Sequence, residues 1–291
     1  MLFRSEAARV GVVNTSISTS RIEARFRELE ERHAKGLVVY LTAGDPTLEA
    51  TAGLVAAVDR GGADVIELGV PFSDPLADGP VIQRASERAL RAGATLRKIL
   101  ERLPGWREAA RAPVILFTYY NPVLQYGLEN FARAAAEAGA DGALVVDLTP
   151  EEAEAYVSAM RARKLDTAFL ASPTSTDERL ERVAKLSSGF LYLISRTGVT
   201  GERSEIASTL RPLVERSRRF TSLPLAVGFG LSTPAQVREV QILADAAVVG
   251  SALVRAIEEH CHADGGARAQ GFGPIEQFVR WLKHGTGTEP Q

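Results

Sequence analysis

Cysteine is nearly absent: Cys261 stands alone among 291 residues. No internal disulfide framework can form, and the chain fits a reducing compartment, the cytoplasm. An excess of charge of one sign is missing too. The 34 basic and 36 acidic residues leave a formal net charge of −2, so no basic field is available to hold nucleic acid. No apolar run approaches the roughly 20 residues that a membrane helix needs. Residues 1–20 carry Arg4 and Arg9 but no continuous apolar stretch of the kind a secretion signal requires. Punctuated by Ser, Thr and Asn, they read as a flexible N-terminal leader or an over-long start.

Lysine and histidine are scarce in a way that bears on chemistry. The five lysines are Lys35, Lys98, Lys164, Lys185 and Lys283, and the four histidines are His33, His260, His262 and His284. None follows an apolar, strand-like run. A Schiff-base aldolase or a lysine-bound pyridoxal phosphate therefore has no candidate at the strand ends. His260-Cys261-His262 invites a metal reading, but adjacent residues on a helix point apart. The triplet reads as ordinary surface residues, and no metal site is expected.

What is present is alternation. At 45% hydrophobic, a chain of this length can bury one complete core. Strands are expected over 37–41, 63–68, 114–119, 142–147, 168–171, 190–194, 225–229 and 246–249. Helical periods fall over 21–33, 47–60, 80–91, 96–103, 128–138, 151–163, 177–186, 234–243, 251–258 and 275–283. Ser20 is placed to cap the first of these, with Ile22, Phe26 and Leu29 on one face, and Pro150 to open the helix over 151–163. Continuous apolar runs separated by helices argue for a parallel sheet covered on its outer face. Closure into an α/β (β/α)8 TIM barrel is the economical architecture. One barrel domain is expected over 21–284, with a C-terminal tail over 285–291 and a Gly- and Ala-rich excursion over 262–274.

One stretch concentrates the chemistry. Residues 65–80 open as a short apolar run ending in Glu67-Leu68-Gly69, continue through a Gly/Pro-punctuated loop carrying Asp74 and Asp78, and reach Pro80, which starts a helix. A carboxylate at the tip of an apolar strand is an expensive placement, because desolvation disfavours its charged form. Asp78, on a wetter loop, should stay ionised. Two carboxylates in unequal environments is the pattern that assigns acid and base roles.

Three glycine turns follow the last three strands: Gly198-Val199-Thr200-Gly201, Gly228-Phe229-Gly230-Leu231-Ser232 and Gly250-Ser251. Glycine lets the backbone approach an anion, and helix N-termini present unpaired N–H groups. Gly201, Gly230, Gly250 and Ser251 together point to a phosphate ester, at the usual phosphate position of this fold.

The 65–80 stretch resembles the signature of the tryptophan synthase α chain family. So do Leu41-Thr42-Ala43-Gly44-Asp45-Pro46, Thr118-Tyr119-Tyr120-Asn121-Pro122, Arg196-Thr197-Gly198-Val199-Thr200-Gly201, Val227-Gly228-Phe229-Gly230 and Val249-Gly250-Ser251. The resemblance spans about residues 21–283. It implies cleavage of indole-3-glycerol phosphate to indole and glyceraldehyde 3-phosphate, with no cofactor in this chain. It also implies a separate β chain, dependent on pyridoxal phosphate, joined in an α2β2 complex. Val39, Phe117 and Leu148-Thr149-Pro150 depart from the family pattern in the pocket wall, and none removes a catalytic group.

On that resemblance Glu67 is the acid, then the base, and Asp78 holds the indole N–H. Tyr192 either orients the proton transfer or is a plain core tyrosine. Tyr40, Tyr119 and Phe229 wall the indole slot, with core packing as the rival for each, and Thr200 lies on a loop that closes with Asp78. Pro71, Asp74 and Asn121, among the apolar and proline residues of the loops after strands two and three, would face the β chain. Two alternatives stay open: another phosphate-binding barrel lyase or isomerase, and a non-catalytic regulatory subunit.

Overall fold

The computed structural model describes residues 20–194, 203–228, 230–261 and 271–285, with residues 203–209 as backbone alone. The expected leader apart from Ser20, most of the 262–274 excursion, and the tail past Gly285 lie outside the described residues.

Nine strands form one sheet: β1 (Gly36–Thr42), β2 (Val65–Gly69), β3 (Val114–Thr118), β4 (Gly142–Val145), β5 (Asp166–Ala168), β6 (Leu170–Ala171), β7 (Leu191–Ile194), β8 (Leu225–Gly228) and β9 (Ala246–Val249). Every pairing is parallel, in the order β5-β4-β3-β2-β1-β9-β8-β7-β6. The two ends of that order are separated only by Phe169, so the sheet closes into a barrel. Eight strands were expected, and the fifth is broken in two. The Phe169 N–H leaves the ladder and donates to Ser187 Oγ at 3.2 Å, while its carbonyl accepts from Tyr192 N at 3.2 Å.

Helices α1 (Arg21–Glu31), α2 (Leu48–Gly61), α3 (Pro80–Arg91), α4 (Leu96–Glu108), α5 (Tyr120–Tyr126) and α6 (Leu128–Glu137) belong to the first half. The second half carries α7 (Glu154–Ala162), α8 (Asp177–Leu186), α9 (Arg203–Arg218), α10 (Pro234–Leu243), α11 (Ser251–Cys261) and α12 (Gly273–His284). Local chemistry sets their starts. Ser20, Thr47, Thr95, Thr176 and Thr233 each accept a backbone N–H from three residues on, and Pro80 occupies the first turn of α3. Helix α7 begins at Glu154 rather than at Pro150, because residues 148–152 form turns closed by Leu148 N–Val145 O and Glu152 N–Thr149 O bonds. Neither α5 nor α9 was anticipated.

Strand residues divide cleanly. Leu37, Val39, Leu41, Ile66, Leu68, Val114, Leu116 and Ala143 face the helical layer in the large outer core. Val38, Val65, Ile115, Leu144, Ala168, Ala226 and Ala246 face inward, where Ile22, Phe26 and Leu29 of α1 join them. Helix α1 therefore plugs the floor of the barrel, with Phe26 against Phe190 at 6.1 Å between ring centroids. The floor is stitched by three aspartates that precede strands. Asp64, Asp141 and Asp245 accept the N–H of Leu37, Val114 and Leu225 at 2.7, 2.7 and 2.8 Å, each in the neighbouring strand. Fully buried Asp64 is neutralised by Arg25 and Lys283, which ties α1 and α12 to β1.

Candidate active site

The alternation that puts Ile66 and Leu68 outward puts Val65, Glu67 and Gly69 inward. Glu67 stands one layer above the floor, in register with Tyr40 of β1 and Ile115 of β3. It is 1% exposed, and its Oε1 meets no hydrogen-bond partner among the described residues. Burial alone pushes its carboxyl up to about 8. An orphaned buried carboxyl oxygen at a barrel mouth is costly to the fold and useful to a reaction that needs a proton held in a dry place.

Asp78 sits half-buried on the loop between β2 and α3. Its Oδ2 accepts a 2.9 Å bond from the Tyr119 hydroxyl, which in turn accepts the Ala77 N–H at 3.1 Å. Burial lifts the Asp78 carboxyl to about 6, against the downward pull of the Tyr119 bond. Asp78 therefore ionises before Glu67, the order expected from its wetter loop.

Tyr40 and Tyr192 complete the layer. Burial, first, and then the charges of both carboxylates hold each phenol well above its ordinary value. Tyr40 shares a 3.3 Å hydrogen bond with Thr42 and packs edge-on against Phe117 at 5.3 Å. Two strand-end glycines make room: a Cβ at Gly69 would overlap the Tyr40 hydroxyl, and one at Gly228 the Tyr192 hydroxyl. The sequence signal was there, glycine on the inward face of a strand tip, yet nothing in one chain says which side chain claims the space.

The two described phosphate turns are neighbours, since β8 pairs with β9 with Gly228 opposite Val248. Gly230 has φ +70°, a conformation that favours glycine. Gly250 lies against the Cβ of Tyr40 at 3.5 Å from an added Cβ, and Ser251 begins α11. Helix α10 opens on a capping box: its Gln236 N–H donates to Thr233 Oγ1, and the Gln236 side chain accepts the N–H groups of Ser232 and Thr233 just before the helix. Helix α11 is preceded by a glycine that has no side chain to do so. Thr200, Gly201 and Phe229 lie outside the described residues.

At the rim, Asp74 and Asn121 are exposed, but Pro71 is buried and Phe72 packs on Tyr119 at 5.1 Å. Pro71 is therefore removed from the exposed set, because it continues the buried run of β2. Asn121 stands in α5 rather than in a loop. The exposed apolar residues at this rim are Leu76, 93% exposed, and Leu124, 52% exposed. Cys261 is buried, not a surface residue, and burial pushes its thiol up to about 11.

A closed parallel barrel with two carboxylates of unequal acidity at the carboxyl ends of its strands defines a (β/α)8 acid–base enzyme. Relatives make that class particular. The family model for the tryptophan synthase alpha chain matches residues 26–273. A tryptophan synthase alpha chain from Solibacter usitatus (strain Ellin6076) is 54% identical over 268 residues, covering 92% of this chain and 98% of the relative. One from Geotalea uraniireducens (strain Rf4) is 52% identical over 82% of this chain and 90% of its own length. The crystal structure of tryptophan synthase subunit alpha from Legionella pneumophila str. Paris superposes with a TM-score of 0.81 at 37% identity, over 91% of this chain and 99% of that one. The chain belongs to the tryptophan synthase alpha chain family, and with membership goes the alpha subunit's role as a lyase.

Proposed function

We propose that this chain cleaves indole-3-glycerol phosphate to indole and glyceraldehyde 3-phosphate by carboxylate acid–base catalysis. The observation that carries the reading is Glu67: buried, with an unpartnered oxygen and a carboxyl raised to about 8. At neutral pH it holds a proton and can deliver it to indole C3. The ring nitrogen then becomes cationic, and Asp78, ionised above about 6, stabilises its N–H. Glu67, now a carboxylate, takes the proton of the adjacent side-chain hydroxyl as the carbon–carbon bond breaks. The bonding electrons return to the indole ring, the hydroxyl carbon becomes the aldehyde, and Glu67 ends protonated as it began.

Tyr192 orients that exchange, and Tyr40, Tyr119 and Phe229 bound the indole slot. Thr200 is assigned to substrate binding. Gly201, Gly230, Gly250 and Ser251 hold the phosphate. The alpha subunit works with a β chain, to which it passes indole. The α2β2 stoichiometry, a pyridoxal phosphate confined to that β chain, a chain here that needs no cofactor, and a cytoplasmic location complete the proposal. Among the described residues no helix is long and apolar enough to cross a membrane.

The test is turnover of indole-3-glycerol phosphate by the full chain, followed by glyceraldehyde 3-phosphate release. Release of both products in equal amounts is expected. Binding without cleavage would overturn the reading in favour of a regulatory subunit.

A further inference from the structure

Tyr119 was expected to be wall, and its ring does pack on Phe72, but its hydroxyl faces the site's second carboxylate. Sequence separation hides this: Tyr119 follows β3, 41 residues from Asp78. The loop carrying Asp78 is already fixed along its backbone. Asp78 N donates to Pro75 O at 3.0 Å, and Gln83 Nε2 of α3 donates to Asp78 O at 2.9 Å. What the backbone leaves free is the rotation of the carboxylate. The Tyr119 hydroxyl takes that freedom by donating to Oδ2 while the Ala77 N–H holds the hydroxyl itself. Among the described residues, Tyr119 is the one hydrogen-bond donor to the Asp78 carboxylate.

Resting on the proposed reaction, we propose that Tyr119 is the positioning residue of Asp78: its hydroxyl fixes the carboxylate plane and keeps Oδ2 occupied, so that Oδ1 is the oxygen presented to the substrate's ring N–H. A hydrogen bond donated to a carboxylate favours its charged form, so the same contact keeps Asp78 ionised at the pH where Glu67 is still protonated. The titratable groups that feel the Asp78 charge besides Tyr119 are Tyr40 of β1 and Tyr192 of β7, which also feel Glu67 of β2, and Tyr119 in addition feels Asp147. None of them is a cation that would hold Asp78 ionised in its place.

Tyr119→Phe keeps the ring and its packing on Phe72 and deletes only the hydroxyl. Expected in the full chain are a kcat lower by about tenfold, in line with loss of a hydrogen bond to a charged group, and a KM changed by less than threefold. The acidic limb of the pH–kcat profile should also move to higher pH. Carbon-13 NMR of the Asp78 carboxyl, assigned with Asp78→Asn, should show the same upward shift in Tyr119→Phe. A raised KM with kcat and the acidic limb unmoved would make Tyr119 a wall and nothing more, and would overturn the proposal. So would an unshifted Asp78 titration. Failure of the wild-type chain to cleave indole-3-glycerol phosphate is a different outcome: it sinks the functional reading itself.

Discussion

In the proposed reaction Glu67 and Asp78 divide one task, and the barrel treats the two carboxylates differently. Glu67 is enclosed by strands and has no donor on Oε1 among the described residues, while Asp78 rides a loop and has Tyr119. The acid role needs Glu67 protonated, and the charge-stabilising role needs Asp78 ionised. Activity should therefore fall as pH drops through about 6, where Asp78 gains a proton, and fall again above about 8, where Glu67 loses one. A bell-shaped pH–kcat/KM curve with a maximum near neutrality is the expected outcome of steady-state assays from pH 5 to 9. A curve still rising at pH 9 would remove Glu67 as the acid. Glu67→Gln should fold, since the site already tolerates a neutral carboxyl, and should lose roughly 10²–10⁴-fold in kcat. Near-native turnover in that variant would refute the mechanism. Glu67 was legible because a lone carboxylate in the apolar run Val65-Ile66-Glu67-Leu68 has few structural excuses. The Tyr119 contact was not, because it exists only once β2 and β3 lie side by side.

At the scale of the element, α1 and α11 do different work at opposite ends of the barrel. The apolar face of α1 was visible as Ile22, Phe26 and Leu29, yet periodicity could not say that this face fills the barrel floor instead of packing on the outer wall. Phe26 is 6% exposed and stacks near Phe190. Phe26→Ala should cost about 3–5 kcal/mol of unfolding free energy, as for other buried phenylalanines. KM and kcat measured well below the melting transition should stay near wild type, because the floor is a layer below Glu67. A large kcat loss in a folded Phe26→Ala chain would mean that the floor shapes the site. Helix α11 carries the other end. Its first amides and Ser251 should hold the phosphate, so Ser251→Ala is expected to raise KM about tenfold, as for one hydrogen bond to a charged group, with little change in kcat. Sulfate soaked into crystals should occupy the cleft between Gly230 and Ser251, and sulfate found only at the opposite face would contradict the assignment. Short or interrupted elements defeated the sequence reading for physical reasons. Helix α5 is 7 residues long, too short for a period to register. The break at Phe169 depends on a hydroxyl from Ser187, 18 residues away.

At the scale of the whole molecule, the working face of the barrel carries two exposed leucines among the described residues. Leu76, 93% exposed, stands on the Asp78 loop, and Leu124, 52% exposed, stands on α5 directly after Tyr119. We propose that these leucines, beside the exposed Asp74 and Asn121, form the surface that the β chain covers. The loop that presents Leu76 also carries Asp78, two residues on, so whatever covers Leu76 presses on the catalytic carboxylate through its own backbone. A β chain seated there would seal the exit for indole, an apolar product otherwise lost to solvent. It would also favour the closed arrangement of the Asp78 loop by population shift. The isolated chain should therefore cleave substrate slowly, and added β chain should accelerate it. Asp74→Ala and Asn121→Ala should weaken that acceleration more than basal turnover, and Leu76→Asp should abolish most of it by placing a charge in the apolar contact. The measurement is a titration of β chain against a fixed amount of this chain, with glyceraldehyde 3-phosphate release as readout. Basal activity already high and unmoved by β chain would show that Leu76 and Leu124 are solvent-facing residues with no partner, and that the rim closes by itself.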